Sequence, residues 1–365
     1  MRVFHVSAEQ FVELDAMPAA LPPTGFLWIG SGRREFEVGV ADVQSHLQAW
    51  TGGQLVDLHV RDLLSQQLPS NFDYTSWYDL LIFRRLAVGG GSDATDDSPG
   101  TLRAARKVLA SVDTSPVGFA VFDRVLVTVH PTDCAVRDFF AQRLQQQAAS
   151  GDARGQGRLP TSPADLMLRM ANHMVDGYLE LRRLLTRHLG MLQSELLDPK
   201  SRFGDWKALL DARNTLYVLE DTCEDQRSAM QEWIDALEEW PVEAQPGAPR
   251  ERELLRLRSR DVLEHIERVL THVRRLEHSA EVAVQMHFSA LGHRTNDIMR
   301  TLTVLTAVFL PLNLITGFFG MNFDALPLIH SATGIWMAVG TMAAVGIGLI
   351  VYFRRKRYLG SQLSK

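Results

Sequence analysis

The sequence is poor in cysteine and lacks a segment that would direct the chain out of the cell. Its two cysteines, Cys134 and Cys223, lie far apart among 365 residues, without a Cys-x-x-Cys or Cys/His metal spacing. Two isolated thiols exclude a disulfide framework and are typical of a reduced compartment. The first 23 residues contain no apolar run of the kind found in signal peptides and carry Glu9 and Asp15. We therefore expect no cleaved signal and a cytoplasmic N-terminal body.

Motifs for nucleotide hydrolysis and for common hydrolases are also missing. The chain has no GxxxxGK[ST] loop, no HExxH and no convincing pairing of a nucleophile with a base. Its composition, with 46% hydrophobic and 22% charged residues, is ordinary for a folded protein. We expect a protein that is not an enzyme and that has neither an organic cofactor nor a nucleic-acid partner.

Charge is almost absent from the C-terminal part of the chain. Residues 301–353 contain one charged side chain, Asp324, and the tail that follows is basic. Everything after residue 300 carries a net charge of +4, so that residues 1–300 carry −9 of the total of −5. An acidic body thus precedes an uncharged stretch and a basic tail.

The uncharged stretch contains two runs of membrane-spanning length. Residues 302–320 and 334–353 provide 19 and 20 residues without a charge. At about 1.5 Å per residue, each helix would cross a hydrocarbon core of about 30 Å. A buried hairpin in a soluble core is the alternative, but two adjacent runs are difficult to cover with protein. Arg300 before the first run and the basic residues 354–357 after the second place both ends in the cytoplasm. The sequence predicts a multi-pass protein of the cell inner membrane.

The sequence before the two spans predicts a mixed α/β region followed by long helices. Short β-rich runs and two helical patterns occupy the first part: strands at 3–6, 25–30, 80–88, 118–122 and 125–129, the last two as a hairpin, and helices at about 41–50 and 132–148. Helical patterns then cover 164–197, 203–240 and about 250 to 320. The third helix carries a heptad seam of apolar residues: Val262, Ile266, Val269, Val273, Leu276, Ala280 and Ala283.

The predicted fold class is therefore an α/β N-terminal domain in the cytoplasm, followed by a long α-helical stalk and two C-terminal transmembrane helices. The expected boundaries are an α/β domain at 1–160, a stalk at 161–300, a first transmembrane helix at 301–321, an outer loop at 322–333, a second transmembrane helix at 334–353 and a basic tail at 354–365.

A stripe of small and polar residues follows one face of the first span. Alternating steps of three and four residues connect Asn296, Met299, Thr303, Thr306, Leu310, Asn313, Gly317 and Gly320. Amides are costly in lipid and usually face a partner helix or water. The stripe predicts either a helix-packing surface or the wall of a pore. Two spans cannot enclose a water-filled path, so a pore requires several copies with this helix innermost. On the second span, Gly340, Ala344 and Gly348 predict a ridge for close packing.

The first span ends in Phe319-Gly320-Met321-Asn322-Phe323, which resembles the YGMNF signature of the CorA family of divalent-cation channels. The similarity extends to the segment at 296–300, both spans and the basic tail, and more weakly to 58–64, 126–131 and 260–262. The resemblance implies an oligomeric, funnel-shaped channel, a pentamer of identical chains in the lipid bilayer. Its implied activity is passive influx of Mg²⁺, with Co²⁺ and Ni²⁺ as further candidates.

The resemblance also implies roles for single residues. Mg²⁺ releases its waters reluctantly, so a ring of Asn322 amides can select the hydrated ion, with Gly320 letting the helix end turn and Met321 packing. The pore lining would comprise Asn296, Met299, Leu302, Thr303, Thr306, Leu310, Asn313 and Gly317. Leu310 and Met299 would form hydrophobic constrictions. An ion of charge +2 entering down about 100 mV gains about 4.6 kcal/mol, so no other energy source is needed.

The match is weaker at the outer mouth and at the regulatory site. Leu328 stands where the family commonly has a glutamate, which leaves Asp324 as the outer carboxylate. The family senses cytoplasmic Mg²⁺ through carboxylates between subunits, and the Arg-Asp-Val match makes Asp261 the candidate for one side. The sequence does not identify the carboxylate on the other side. Candidates for it lie in a Gly-rich loop, where carboxylates are more often solvated surface: Asp93, Asp96 and Asp97.

Two other functions fit parts of the sequence. Five histidines on the long helix are more typical of a polar surface, but they keep a Zn²⁺ transporter of the ZntB type under consideration: His265, His272, His278, His287 and His293. Alternatively, the hairpin of spans only tethers a scaffold or sensor to the membrane.

Overall fold

The computed structural model describes residues 1–88, 112–150, 158–197, 206–240, 248–321 and 332–356. By its internal contacts the chain divides into two compact units, Met1–Glu281 and Val282–Lys365. The domain boundaries expected from the sequence stay a prediction.

The first unit is built on a seven-stranded sheet with the order β2-β1-β3-β9-β8-β5-β4. A separate two-stranded sheet joins β6 to β7. All neighbouring strands are antiparallel except β3 and β9, which are parallel. The strands are β1 (Arg2–Val6), β2 (Phe11–Leu14), β3 (Phe26–Gly32), β4 (Asn71–Tyr74), β5 (Asp79–Arg84), β6 (Ala87–Val88), β7 (Val112–Asp113), β8 (Pro116–Val121) and β9 (Val125–His130).

The central strands are mostly apolar because both faces of the sheet are covered. Every residue of β3, β8 and β9 is buried. Successive side chains enter opposite layers: Trp28 belongs to one hydrophobic cluster and Ile29 to the other. A continuous apolar run is the pattern expected for a strand with two buried faces. The predicted hairpin of β8 and β9 is confirmed, with Val121 opposite Leu126.

Eight helices are present in the described part of the chain. They are α1 (Arg33–Thr51), α2 (Asp57–Leu64), α3 (Ala135–Ser150), α4 (Pro163–Asp176), α5 (Tyr178–Leu197), α6 (Trp206–Glu239), α7 (Ala248–Phe319) and α8 (Ala332–Arg355). The single helix predicted at 164–197 is two helices, α4 and α5, which meet at Gly177. A Cβ on Gly177 would lie 3.0 Å from the carbonyl oxygen of Leu86, so glycine allows this close approach.

The helix predicted from about residue 250 is confirmed as α7, which continues through Pro311 to Phe319. In the first unit its heptad seam faces the core, where Val262, Ile266 and Val273 are at most 1% exposed. The indole Nε1 of Trp233 on α6 donates to Ser259 Oγ on α7 at 2.9 Å. The structure thus confirms an N-terminal α/β part followed by long helices.

The second unit contains the C-terminal part of α7 and helix α8. Both helices are long and apolar enough to cross a membrane. Gly346 of α8 is buried, and a Cβ there would lie 3.9 Å from the side chain of Leu312 on α7. The ridge predicted at Gly340, Ala344 and Gly348 is exposed, and a Cβ on either glycine would meet no atom of the described residues within 4 Å. The ridge therefore makes no contact with α7 of the same chain in the described residues, and its role in close packing stays a prediction.

Candidate ion pathway and regulatory site

The predicted stripe lies on the exposed side of α7. Leu310 and Met299 of the stripe are 67% and 58% exposed, and Leu302, which the family resemblance adds to the pore lining, is 56% exposed. The polar and glycine members are exposed as well: Asn296, Thr303, Thr306, Asn313, Gly317 and Gly320. The stripe is therefore available to water, lipid or a further copy of the chain.

The opposite side of α7 is the one that α8 covers. Its buried and half-buried residues follow one another at helical spacing: Val304, Ala307, Val308, Pro311, Leu312, Ile315 and Phe319. These side chains are apolar, whereas every amide and hydroxyl of the stripe points away from them. The stripe therefore does not pack against α8 of the same chain.

The threonines of the stripe present hydrogen-bond acceptors. Thr303 Oγ1 donates to the carbonyl of Met299 at 2.7 Å, and Thr306 Oγ1 donates to that of Leu302 at 2.9 Å. Each hydroxyl proton is used inside the helix, so the oxygen is left with lone pairs directed outward. Water molecules around a cation turn their hydrogens outward, and such oxygens can accept them.

The end of α7 tightens at Gly320. Its N–H donates to the Thr316 carbonyl at 2.8 Å, and the N–H of Met321 reaches the Phe318 carbonyl at 3.4 Å. A Cβ on Gly320 would lie 2.9 Å from the Thr316 carbonyl oxygen, so a side chain would require the backbone to move. Met321 is 42% exposed and is the last described residue before Asn322. Asn322 and Asp324 lie outside the described residues.

Asp261, the predicted regulatory residue, is an exposed carboxylate on α7. Its Oδ1 lies 3.8 Å from His265 Nε2, while His265 Nδ1 lies 3.3 Å from Asp176 Oδ1 on α4. Asn172 Nδ2 donates to the other carboxylate oxygen of Asp176 at 3.3 Å. No sequence pattern indicates Asp176, because α4 lies far from α7 along the chain. Carboxylate oxygens are ligands that Mg²⁺ prefers.

Among the described residues, there is no group of three or more His, Cys, Asp or Glu side chains that could hold a metal ion. Asp93, Asp96 and Asp97, the loop candidates for the second side, lie outside them. A divalent ion at Asp261 would thus need ligands beyond those that the described part of one chain brings together.

The stalk histidines have different surroundings. His265 contacts two aspartates, and His272 Nδ1 lies 2.7 Å from the Tyr178 hydroxyl. His278 and His293 are exposed. The pairing of Tyr178 with His272 could not be found from the sequence, since 94 residues separate the two.

Comparison with family models and curated proteins identifies one family. Residues 100–355 match the sequence model of a protein family, which is described as CorA-like Mg²⁺ transporter protein. A cobalt/magnesium transport protein CorA of Thermotoga maritima is 28% identical over 100 residues, which cover 27% of this chain and 28% of that protein. A magnesium transport protein CorA of Haemophilus influenzae is 34% identical over 101 residues, which cover 28% of this chain and 32% of that protein. The aligned parts thus span about a third or less of these curated relatives.

Solved structures share the fold over nearly the whole length. The complete structure of the CorA magnesium transporter from Methanocaldococcus jannaschii superposes with a TM-score of 0.70 at 18% identity and covers 97% of both chains. The full-length CmaX protein superposes with a TM-score of 0.59 at 18% identity, covering 98% of this chain and 97% of that one. At these identities the likeness shows the fold.

Proposed function

Because the chain belongs to the family of CorA-like Mg²⁺ transporter proteins, we propose that it is a homo-oligomeric channel for the passive influx of Mg²⁺. A family of transporters agrees with the expectation that the chain is not an enzyme. The observation that carries the proposal is the exposed stripe of acceptors on α7, opposite the face covered by α8 and leading to Gly320, Met321 and Asn322.

In the proposed pathway, the Asn322 amides of several copies accept hydrogen bonds from the water shell of Mg²⁺ at the outer end. Asn313 and Thr306 offer further acceptors along the stripe, so the ion can keep its waters. Leu310 and Met299 form apolar constrictions that close by losing water. The membrane potential supplies the driving force, about 2.3 kcal/mol per charge at 100 mV.

The assembly and the orientation belong to the same proposal. We place the channel in the inner membrane with both termini in the cytoplasm, as a pentamer by family resemblance, with α7 innermost. Regulation by cytoplasmic Mg²⁺ would involve Asp261 together with ligands from a neighbouring copy. The acceptor stripe supports an inner position of α7, because amides and hydroxyls are costly against lipid.

Flux of Mg²⁺ into proteoliposomes tests the proposal. Wild-type protein should admit Mg²⁺, and Asn322→Ala should lower the flux by about tenfold or more because the ion loses its outer acceptors. Thr306→Ala should lower it by about threefold, since one ring of acceptors is lost.

Thr341→Ala is the matched control for Thr306→Ala. Thr341 is also an exposed threonine whose hydroxyl donates within its helix, to the Met337 carbonyl at 2.8 Å, but it lies on α8. Its substitution should leave the flux unchanged. A wild-type chain without flux would favour a membrane tether, and flux that persists in Asn322→Ala would contradict the assigned filter. The same flux assay with Zn²⁺ or Co²⁺ in place of Mg²⁺ identifies the preferred ion.

A further inference from the structure

An open cleft of about 400 Å³ lies on the first unit, between α5 and the cytoplasmic part of α7. Three arginines and a histidine line it: Arg182 from α5, and Arg268, His272 and Arg275 from α7. None of these residues belongs to the proposed ion pathway. The cleft is therefore a second polar site on the molecule, with its own chemistry.

The arginines leave an excess of positive charge in the cleft. Arg268 pairs with Glu264 one helical turn earlier, which neutralises both side chains. In the described ranges, neither Arg182 nor Arg275 has an ion-pair partner, and Glu267 is the other carboxylate of the lining. Two guanidinium groups thus face a single carboxylate, which leaves an excess of one positive charge.

The Tyr178 hydroxyl lies within hydrogen-bond distance of His272. Burial raises the pKa of Tyr178, so its hydroxyl keeps the proton, and the hydroxyl oxygen lies 2.7 Å from His272 Nδ1. Desolvation, with Arg182 and Arg275 nearby, lowers the pKa of His272, which favours the neutral ring. When the hydroxyl donates to Nδ1 of a neutral imidazole, the ring hydrogen sits on Nε2. In that tautomer His272 adds an N–H donor to the two guanidinium groups.

We propose that this cleft binds a phosphoryl group, either inorganic phosphate or the terminal phosphate of a nucleotide. Arg182, Arg275 and His272 supply donors from two helices, which suits a tetrahedral anion with three free oxygens better than a planar carboxylate. Guanidinium groups bind phosphate oxygens through paired, charge-assisted hydrogen bonds. The proposal does not depend on ion transport by the same chain.

Glu267 gives the site a means to distinguish phosphate from sulfate. At pH 7 inorganic phosphate is present as H₂PO₄⁻ and HPO₄²⁻, which both carry a P–O–H, and a phosphate monoester, with a pKa of about 6, carries one in a fraction of its molecules. That hydroxyl can donate to the Glu267 carboxylate while the other oxygens accept from Arg182 and Arg275. Sulfate has no proton at this pH and would be repelled by Glu267. The cleft should therefore prefer phosphate over sulfate.

Titration calorimetry on the purified full chain tests the site, in Mg²⁺-free buffer with chloride holding the ionic strength constant. Inorganic phosphate, ATP and sulfate are titrated separately. Arg182→Gln and Arg275→Gln should each weaken phosphate binding by about tenfold, because each removes a charge-assisted pair. Arg183→Gln is the matched control: Arg183 is exposed, adjacent in sequence and not part of the lining. It should change the affinity by less than about twofold.

Glu267→Gln tests the selectivity. It should strengthen sulfate binding and abolish the preference for phosphate, since the carboxylate that repels sulfate is gone. Melting temperatures give an independent readout: phosphate should raise that of the wild type and not that of Arg275→Gln.

The outcomes separate cleanly. Saturable binding of phosphate, ATP or both supports the site, and the better ligand identifies the source of the phosphoryl group. No saturable binding of either ligand would overturn the proposal. Equal weakening by Arg183→Gln and Arg182→Gln would overturn it too, because binding would then follow surface charge alone.

Discussion

Asp79 shows how a single residue makes the stability of the first unit depend on pH. It lies at the start of β5, opposite Tyr74 and Val121 in the sheet. Burial, together with the charge of nearby Asp123, raises its pKa to about 7. The folded chain therefore holds a proton on this carboxyl that the unfolded chain releases near pH 4.

From this pKa we expect the contribution of Asp79 to stability to fall as the pH rises from about 4 to about 7 and then to level off, because this carboxyl holds its proton in the native state over that range. Asp79→Asn removes the ionised form. It should stabilise the chain by about 2 kcal/mol at pH 8 and have little effect at pH 4. Denaturant unfolding at the two pH values measures the difference.

Asp123→Asn serves as the companion variant for this prediction. It removes the neighbouring charge and should lower the pKa of Asp79, which moves the loss of stability to lower pH. An Asp79→Asn effect of equal size at pH 4 and pH 8 would contradict the assignment, since a pH-independent gain has a cause other than ionisation.

At the scale of the element, α7 is a helix with two unlike faces in the spanning region. One face is apolar and packs on α8, and the other carries the exposed acceptors. The contact lies at Gly346, where an added Cβ would be in van der Waals contact with Leu312, at 3.9 Å, so that a larger side chain would meet it. A small residue allows helices to approach closely in a membrane, where van der Waals contact is a main source of association.

Gly346→Leu should therefore separate α7 from α8 and lower the melting temperature of the purified protein, with a cost of about 1–3 kcal/mol for overpacking. Gly340→Leu is the control, because a side chain there meets no atom of the described chain within 4 Å. Circular dichroism melts of both variants measure the effect. Equal losses in the two variants would mean that Gly340 is also covered, for example by another copy.

At the scale of the whole molecule, the candidate sites are incomplete in one chain. The acceptor stripe lines a path only if further copies face it, and Asp261 has too few neighbouring ligands among the described residues to hold a divalent ion alone. Assembly is therefore the step that would create both the pathway and its regulation.

Asp261→Ala should weaken the inhibition of flux by internal Mg²⁺, because a ligand of the proposed contact between copies is removed. Flux measured in proteoliposomes over a range of internal Mg²⁺ gives the concentration for half-inhibition, which should rise by about fivefold or more. Glu253→Ala is the control, since Glu253 is an exposed carboxylate on the same helix. Native mass spectrometry counts the copies in the sample. Unchanged inhibition in Asp261→Ala would reject its regulatory role.

Much of the fold could be predicted because its signals are local. Two long runs of uncharged residues predict the two spans. Apolar runs on either side of Asp123-Arg124 predict the hairpin of β8 and β9. The short strands β2 and β4 were not predicted, because each has only four residues and these do not alternate clearly between apolar and polar side chains. They form because β1 and β5 offer them hydrogen-bonding partners. Helix α2 is positioned similarly by tertiary contacts, with His59 lying 3.0 Å from Asp73 and 2.7 Å from Tyr78.

The sequence by itself determined the order of the parts: an α/β body, long helices, two apolar spans, and a stripe of polar residues on one face of α7. Periodicity fixes which residues share a helix face, since it depends only on the helical repeat. Only the tertiary structure decided that α8 packs through Gly346 on the face opposite the stripe. It also brought Arg182 to His272 and Arg275 across more than eighty residues. Such pairings depend on how surfaces fit together in space, and a one-dimensional pattern does not carry that information.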